Sequence, residues 1–388
     1  MIENRIASYA GELRAIRRDL HKHPELLFDL PRTSAIVAKE LARLGYKVTT
    51  GIAETGVVGT LSNGAGRKSM GIRADMDALP IHEATNLPYA SQTPGQMHAC
   101  GHDGHTAMLL GAARYLAETR NFDGTVHLIF QPAEEDIGGA KRMIEEGLFK
   151  RFPCDMVFAL HNWPGEAAGQ IMVRPGAITA AADIIRASII GVGGHGAIPH
   201  KAVDPVVAAS ACVLALQTLV SRNLDPIDPA VITVGAFNAG SLATIIPEEA
   251  SLNIGIRTCA KDVRDLMLRR VRELLDSQAR SFGCRVEYRD APGGVSYPPG
   301  LNDAAGADLV RGVALDMGQA PERVDLRGPF MFSEDFSYMQ EAVPACYFGV
   351  GNGPSKNLHD PGYDFNDELL AKGPIIWARI VEKFLAKA

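Results

Sequence analysis

Short apolar runs and helical spacings alternate along the first half of the chain. "GVVGTL" (56–61), "SMGIRAD" (69–75), "TVHLIF" (125–130) and "DMVFAL" (155–160) read as buried strands. "TSAIVAKELARLG" (33–45), "HTAMLLGAARYLAET" (105–119) and "GGAKRMIEEGLF" (138–149) precede or separate them with helical patterns. Within the second of these, Met108, Leu109, Ala112 and Leu116 form a stripe suited to core packing. Residues 4–21 predict an amphipathic helix that Pro24 stops. Buried strand alternating with helix predicts a layered α/β sheet.

Near residue 184 the rhythm changes. "DIIRASIIG" (183–191) reads as a strand, 204–222 as a helix, "AVITVGAF" (230–237) and "ASLNIGIRT" (250–258) as strands, 261–283 as a helix and "CRVEYRD" (284–290) as a strand. The order β-α-β-β-α-β is the ferredoxin-like plan. "APGGVSYPPG" (291–300) suits a linker, and helix and strand resume after it. These patterns predict an α/β domain made of 1–184 and 298–388, interrupted by an inserted α+β domain at 185–297. A length of 388 residues agrees, since domains run to roughly 100–200 residues.

Composition narrows the partners. A net charge of −6 lacks the basic footprint that nucleic acid or an anionic membrane favours. No run of about 18 uninterrupted apolar residues predicts a membrane span. The N-terminus mixes charges into its helical pattern and lacks the apolar core of a signal peptide. The six cysteines are scattered, which suits thiols of a cytoplasmic protein rather than a disulfide framework.

Polar residues collect at the ends of three predicted strands. "GIRAD" leads to Asp75 and Asp77, "VHLIFQPAEE" to Glu134 and Glu135, and "MVFALHN" to His161. Open α/β sheets bind ligands at the carboxyl ends of their strands. "MHACGHDGHTAM" (97–108) adds His98, Cys100, His102, Asp103 and His105 just before a helix. Alone, each reads as a turn or capping residue, and Asp103 suits the cap of a helix starting near His105. Together they suit a metal, with His98, Asp103 and His105 as supporting or structural residues. One cysteine among histidines and carboxylates is unlike a closed structural zinc site, which favours cysteine pairs. Cys100 and His102 are too close in sequence to wrap one ion easily, so the spacing suggests two bridged cations. Adjacent Glu134 and Glu135 can then divide labour, one binding metal and the other activating water. His21 and His23 read as the cationic end of the first helix, and His127 as a packed or edge strand residue.

"GIRADMDALP", "MHACGHDGHTAM", "IFQPAEED", "ALHNWPG", "GGHGAIPH", "FSEDFSYM" and "LHDPGYDFND" resemble, in order, the motifs of peptidase family M20, subfamily D. That family includes hippurate hydrolases, indole-3-acetyl-amino-acid hydrolases and N-acyl amino acid amidohydrolases. The resemblance implies metal-ligand roles for Cys100, as the bridge, and for His102, Glu135, His161 and His359. It implies a general base at Glu134 and, at Asp77, an aspartate orienting a ligand histidine. It also implies an oxyanion-stabilising histidine at His195, supplied in related enzymes by a partner subunit.

The implied fold is a layered α/β di-metal catalytic domain carrying a ferredoxin-like lid and dimerisation domain. The implied protein is a homodimer that hydrolyses N-acyl amino acids with two divalent ions, zinc or manganese, with cobalt or nickel also suiting the donors. A dipeptidase, or a deacylase of a biosynthetic intermediate, is the alternative activity; a non-catalytic binding protein on the same scaffold is a third reading. Thr244, in "ATIIPEE", departs from the family's usual asparagine near the substrate. Arg257, on "NIGIRT", is a candidate for the substrate carboxylate, with a surface strand arginine as the plain alternative.

Overall fold

Strands buried on both faces need helices above and below them, and that requirement organises the larger part of the chain. The structure, a computed structural model, describes residues 2–135, 137–289 and 296–387. It divides into a larger unit, 1–178 with 301–328 and 335–388, and a smaller one, 179–300 with 329–334.

In the larger unit a seven-stranded sheet runs, in spatial order, Lys47–Ile52, Gly56–Asn63, Gly124–Gln131, Ser69–Asp75, Met156–Pro164, Ala345–Gly353 and Ile171–Met172. The four strands from Gly124–Gln131 to Ala345–Gly353 are mutually parallel, and the others are antiparallel. Every residue of Ala345–Gly353 is buried, as a strand covered on both faces must be. The register sets Asp75 beside Gln131 and His161 beside Gly349, so the carboxyl ends of the parallel strands finish together. Helix His102–Thr119 has 14 of its 18 residues buried, including the stripe Met108, Leu109, Ala112 and Leu116. It is therefore a core element, not a surface helix.

The smaller unit has the predicted ferredoxin-like order. Its antiparallel sheet runs Ala230–Ala239, Glu249–Thr258, Ala181–Ile190, Arg285–Tyr288. Burial alternates along Glu249–Thr258, so one face is covered. Helices Pro205–Asn223 and Lys261–Ser281 share its core, through Cys212, Leu216, Met267 and Val271 among others. Pro205–Asn223 is long and apolar enough to cross a membrane by length and composition. Its Ala208, Ala209, Cys212, Leu216 and Leu219 are instead buried in this core.

Three sequence expectations need correction. The changeover falls at 178/179 rather than 184/185, because Ala181–Ile190 pairs along its whole length with Glu249–Thr258. The smaller unit also ends at 300 and takes in 329–334. Of the expected linker at 291–300, residues 291–295 lie outside the described residues, while Ser296–Tyr297 pairs with Ala182 and Asp183. The first helix is two, Ile2–Ala7 and Ala10–Lys22. At the break Ser8 Oγ donates to the Arg5 carbonyl at 2.6 Å, a local bond that competes with helix continuation.

Candidate metal centre

The helix carrying His102 begins at that residue, three positions earlier than its apolar pattern suggests. Gly101 makes the early start. Its φ is +90°, and a Cβ there would lie 2.5 Å from Asn162 Oδ1 and 2.8 Å from Tyr363 Oη. Only glycine turns the chain sharply enough to put Cys100 and His102 on either side of it. Asp103 consequently sits in the first turn and makes no cap bond, contrary to the expectation.

His102 is buried and its Nδ1 lies 2.8 Å from the Asp77 carbonyl. That bond assigns the proton to Nδ1 and leaves the Nε2 lone pair free to coordinate. Nε2 has no hydrogen-bond partner among the described residues, and its nearest carboxylate oxygen, Asp75 Oδ2, is 3.8 Å away. Burial opposes a charge on this ring, but Asp75, Asp77 and Glu135 outweigh it and raise its pKa to about 10, so without a metal Nε2 also carries a proton, which a bound cation would have to displace.

His161 follows the same plan. Its Nδ1 is 2.9 Å from the Asn162 carbonyl, and its Nε2 faces Cys100 Sγ at 3.4 Å. Burial, then the neighbouring His105, hold it neutral, the form that binds metals. Cys100, Glu135 and His359 each place a donor atom within 4.8 Å of the other two, and so do His102, Glu134 and Glu135. Burial and the surrounding carboxylates, Glu135 first, push the Cys100 thiol well up.

Asp77 fixes the two glutamates. Its Oδ1 accepts the Glu134 N–H at 3.1 Å and its Oδ2 the Glu135 N–H at 3.0 Å. Ala133, just before them, has φ +55°, so the turn is strained and held. The Asp77 carboxylate also stands 3.4 Å from His102 Nδ1. One residue thus orients a histidine and both acids. His359 is likewise in the left-handed region, at φ +65°, and its N–H donates to the Ala99 carbonyl at 2.8 Å. Its half-exposed ring reaches Glu135 Oε1 at 3.3 Å.

Cys100, His102, Glu134, Glu135, His161, His359 and Asp77 therefore gather at the carboxyl ends of the parallel strands. His195, Thr244 and Arg257 belong to the smaller unit. There His195 is exposed, pairs across a short ribbon with Ile245, and its Nδ1 accepts the Ala197 N–H at 3.0 Å. Exposed Thr244 accepts the Gly196 N–H on its carbonyl at 2.8 Å. Arg257 is half-buried and donates to Ser333 Oγ at 2.9 Å, with burial lowering its pKa.

Behind these side chains lies a polar layer, in which the sequence placed His105 and Asp103 as supporting residues but not their partners. His105 spends Nδ1 on Asp75 Oδ1 at 2.6 Å and Nε2 on Asn162 Oδ1 at 2.8 Å. Both nitrogens are engaged, although the ring stands close enough to His102 and His161 to share a metal site with them. Arg73 bonds Asp75 at 2.6 Å and Asp335 at 3.0 Å, all three fully buried. One signal for it was available: an arginine and an aspartate inside the otherwise apolar run "SMGIRAD". His21 joins this layer. It stands in the last turn of helix Ala10–Lys22, as expected, but it is buried, with Nδ1 at 2.8 Å from Asp103 and Nε2 at 3.3 Å from Glu83. Burial opposes its charge, yet Asp103 and Glu83 raise its pKa to about 9.

A thiol, three imidazoles and two carboxylates, one imidazole nitrogen aimed inward without a partner, are a donor set that fits divalent cations. Comparison with known proteins agrees. The model of "Peptidase family M20/M25/M40" matches residues 71–383. The chain belongs to this family. The M20 enzyme is 41% identical to the hippurate hydrolase of Campylobacter jejuni, over 98% of each chain. It is 37% identical to the N-acetyl-L-cysteine deacetylase of Bacillus subtilis, over 95% of this chain and 86% of that one. Among solved structures it resembles the YXEP protein of Bacillus subtilis, described as a dinuclear metal binding peptidase, at 29% identity. That match has a TM-score of 0.85 and covers 98% of this chain and 100% of the other. The M20 enzyme is thus a metal-dependent amidohydrolase, with the relatives expected from its motifs.

Proposed function

We propose that the M20 enzyme hydrolyses the amide bond of N-acyl amino acids, releasing a carboxylic acid and the free amino acid. Cys100, His102, Glu135, His161 and His359 would hold two divalent cations, zinc or manganese, with cobalt or nickel also suited to these donors. Bound there, the cations supply Lewis acidity that polarises a carbonyl and acidifies water. The observation that carries the reading is the paired grip of Asp77 on the Glu134 and Glu135 amides. It presents two adjacent carboxylates to one centre, one for the metals and one for the proton.

Glu134 takes the proton from the attacking water and passes it to the departing amine. Its Oε1 also accepts the Asp335 N–H at 3.4 Å, which steers the carboxylate. His195 stabilises the oxyanion with Nε2, since its Nδ1 is already an acceptor for Ala197. Thr244 and Arg257 serve substrate recognition. A homodimer joined through the smaller unit suits the edge strand Ala230–Ala239, which among the described residues pairs on one side only and exposes Val231 and Phe237. Leu214, on helix Pro205–Asn223, is 74% exposed, an apolar surface that a partner would cover. Six free cysteines suit a cytoplasmic location.

A panel of N-benzoyl, N-acetyl and indole-acetyl amino acids, assayed for amine release after metal reconstitution, tests the activity. Glu134→Gln should keep its metal and lose turnover by several orders of magnitude. Near-normal hydrolysis by that variant would remove Glu134 as the base.

A further inference from the structure

Arg17, on helix Ala10–Lys22, is completely buried and stands among three carboxylates. Its Nη2 donates to Asp364 Oδ1 at 2.8 Å and lies 3.4 Å from His21 Nδ1, while Nε, 2.8 Å from Asp103 Oδ2, and Nη1, 3.5 Å from Asp367 Oδ1, make charge contacts without hydrogen-bond geometry among the described residues. The Tyr89 and Phe365 rings lie 5.1 and 5.6 Å from the guanidinium carbon. Burying such a cation is costly unless it is fully paired. Neither the proposed chemistry nor the donor set uses it.

The partners share one property: each belongs to a segment that bears a proposed ligand. Asp103 follows His102 directly. Asp364 and Asp367 lie in the loop between strand Ala345–Gly353 and helix Leu369–Phe384, which also carries His359. That loop needs anchoring, because His359 holds a left-handed backbone that a non-glycine residue adopts only under constraint. Two further ties run the same way. The His359 N–H bonds Ala99, and Asn162 Nδ2 donates to Tyr363 Oη. A Cβ on Gly104 would strike the Phe365 ring at 2.3 Å, so the two segments touch with nothing to spare.

We propose that Arg17 is a positioning residue: its guanidinium clamps the segment 99–103 to the loop 357–367 and so sets the metal affinity of the site. This inference rests on the metal reading above. The planar fork is essential to it, because only a guanidinium meets carboxylates in several directions at once. Lysine would keep the charge and reach fewer of them.

The test is cobalt binding to the metal-stripped full-length protein, read by competition with a chelator and by the thiolate and d–d absorption bands. Melting curves establish folding, and all titrations run well below the melting temperature. Arg17→Lys should bind cobalt about 10–100-fold more weakly, the usual loss when a group supporting metal ligands is removed, with altered d–d bands. Asp364→Asn, at a partly exposed carboxylate, should give a smaller loss of the same sign. A lowered melting temperature with wild-type affinity and spectrum in both variants would show a merely structural arginine and overturn the proposal. If Arg17→Lys does not fold, Asp364→Asn decides alone, and wild-type affinity there overturns it. Wild-type protein that binds no cobalt defeats the metal reading itself; wild-type binding with indifferent variants defeats only the clamp.

Discussion

His127 offers a test of burial energetics remote from any substrate. It lies mid-strand in Gly124–Gln131, 5% exposed, with Nδ1 2.9 Å from Thr60 Oγ1 and its ring edge-on to Phe152. Burial pushes its pKa down to about 4, and the Pro153 backbone only partly offsets this. In the unfolded chain the ring titrates near ~6.5. The unfolded state therefore binds the extra proton first as pH falls. The stability contributed by the neutral ring is intact above pH ~6.5 and drains away toward pH ~4. With these two values, linkage gives a loss of about 2 kcal/mol between pH 7.5 and pH 5. Many other groups titrate over that range, so the quantity to measure is a difference of differences. Denaturant unfolding of wild type and of His127→Gln, each at both pH values, isolates the histidine. Glutamine retains a bond to Thr60 and cannot charge. Wild type should lose about 2 kcal/mol more than the variant on acidification. A difference under about 0.5 kcal/mol, within the scatter of distant sites, would refute the depressed pKa.

Three further substitutions probe other parts of the structure. Gly104→Ala should destabilise by about 1–3 kcal/mol, because its Cβ would meet the buried Phe365 ring at 2.3 Å; thermal unfolding checks this. Asp77→Asn puts an amide NH2 where one backbone N–H needs an acceptor. Metal affinity or kcat/KM should fall about 10–100-fold, measured by chelator competition and steady-state kinetics. Arg264→Met leaves Asp183, 4% exposed, without the two guanidinium bonds of 2.7 and 2.8 Å and, among the described residues, with Ser296 Oγ as its remaining side-chain donor. A loss of about 3 kcal/mol or more in denaturant unfolding is expected.

What could be read from the chain follows the range of the forces involved. Strands such as Met156–Pro164 and the stripe on helix His102–Thr119 are written in local apolar spacing, which burial enforces along consecutive residues. Cys100, His102, Glu134, Glu135 and His161 were legible because each stands at or just beyond a strand or helix end, where the α/β plan converges. Asp77 was legible as a supporting residue. Its double grip on the Glu134 and Glu135 amides was not, since it depends on a turn that brings residues 57 and 58 positions apart into register.

His21, Arg17 and Asp103 show the limit most clearly. Each has a sound local explanation, as the end of a helix, a charged helix face or a cap. Each takes its main partners from distant segments: Arg17 and Asp364 are 347 residues apart in sequence and 2.8 Å apart in space. A buried ion pair is invisible to periodicity because its members satisfy one another rather than water. Only the topology, which lays helix Ala10–Lys22 over the amino end of helix His102–Thr119, brings the charges together. The residues that perform the chemistry are thus announced by where elements end, whereas those that hold them in place are set by which elements meet.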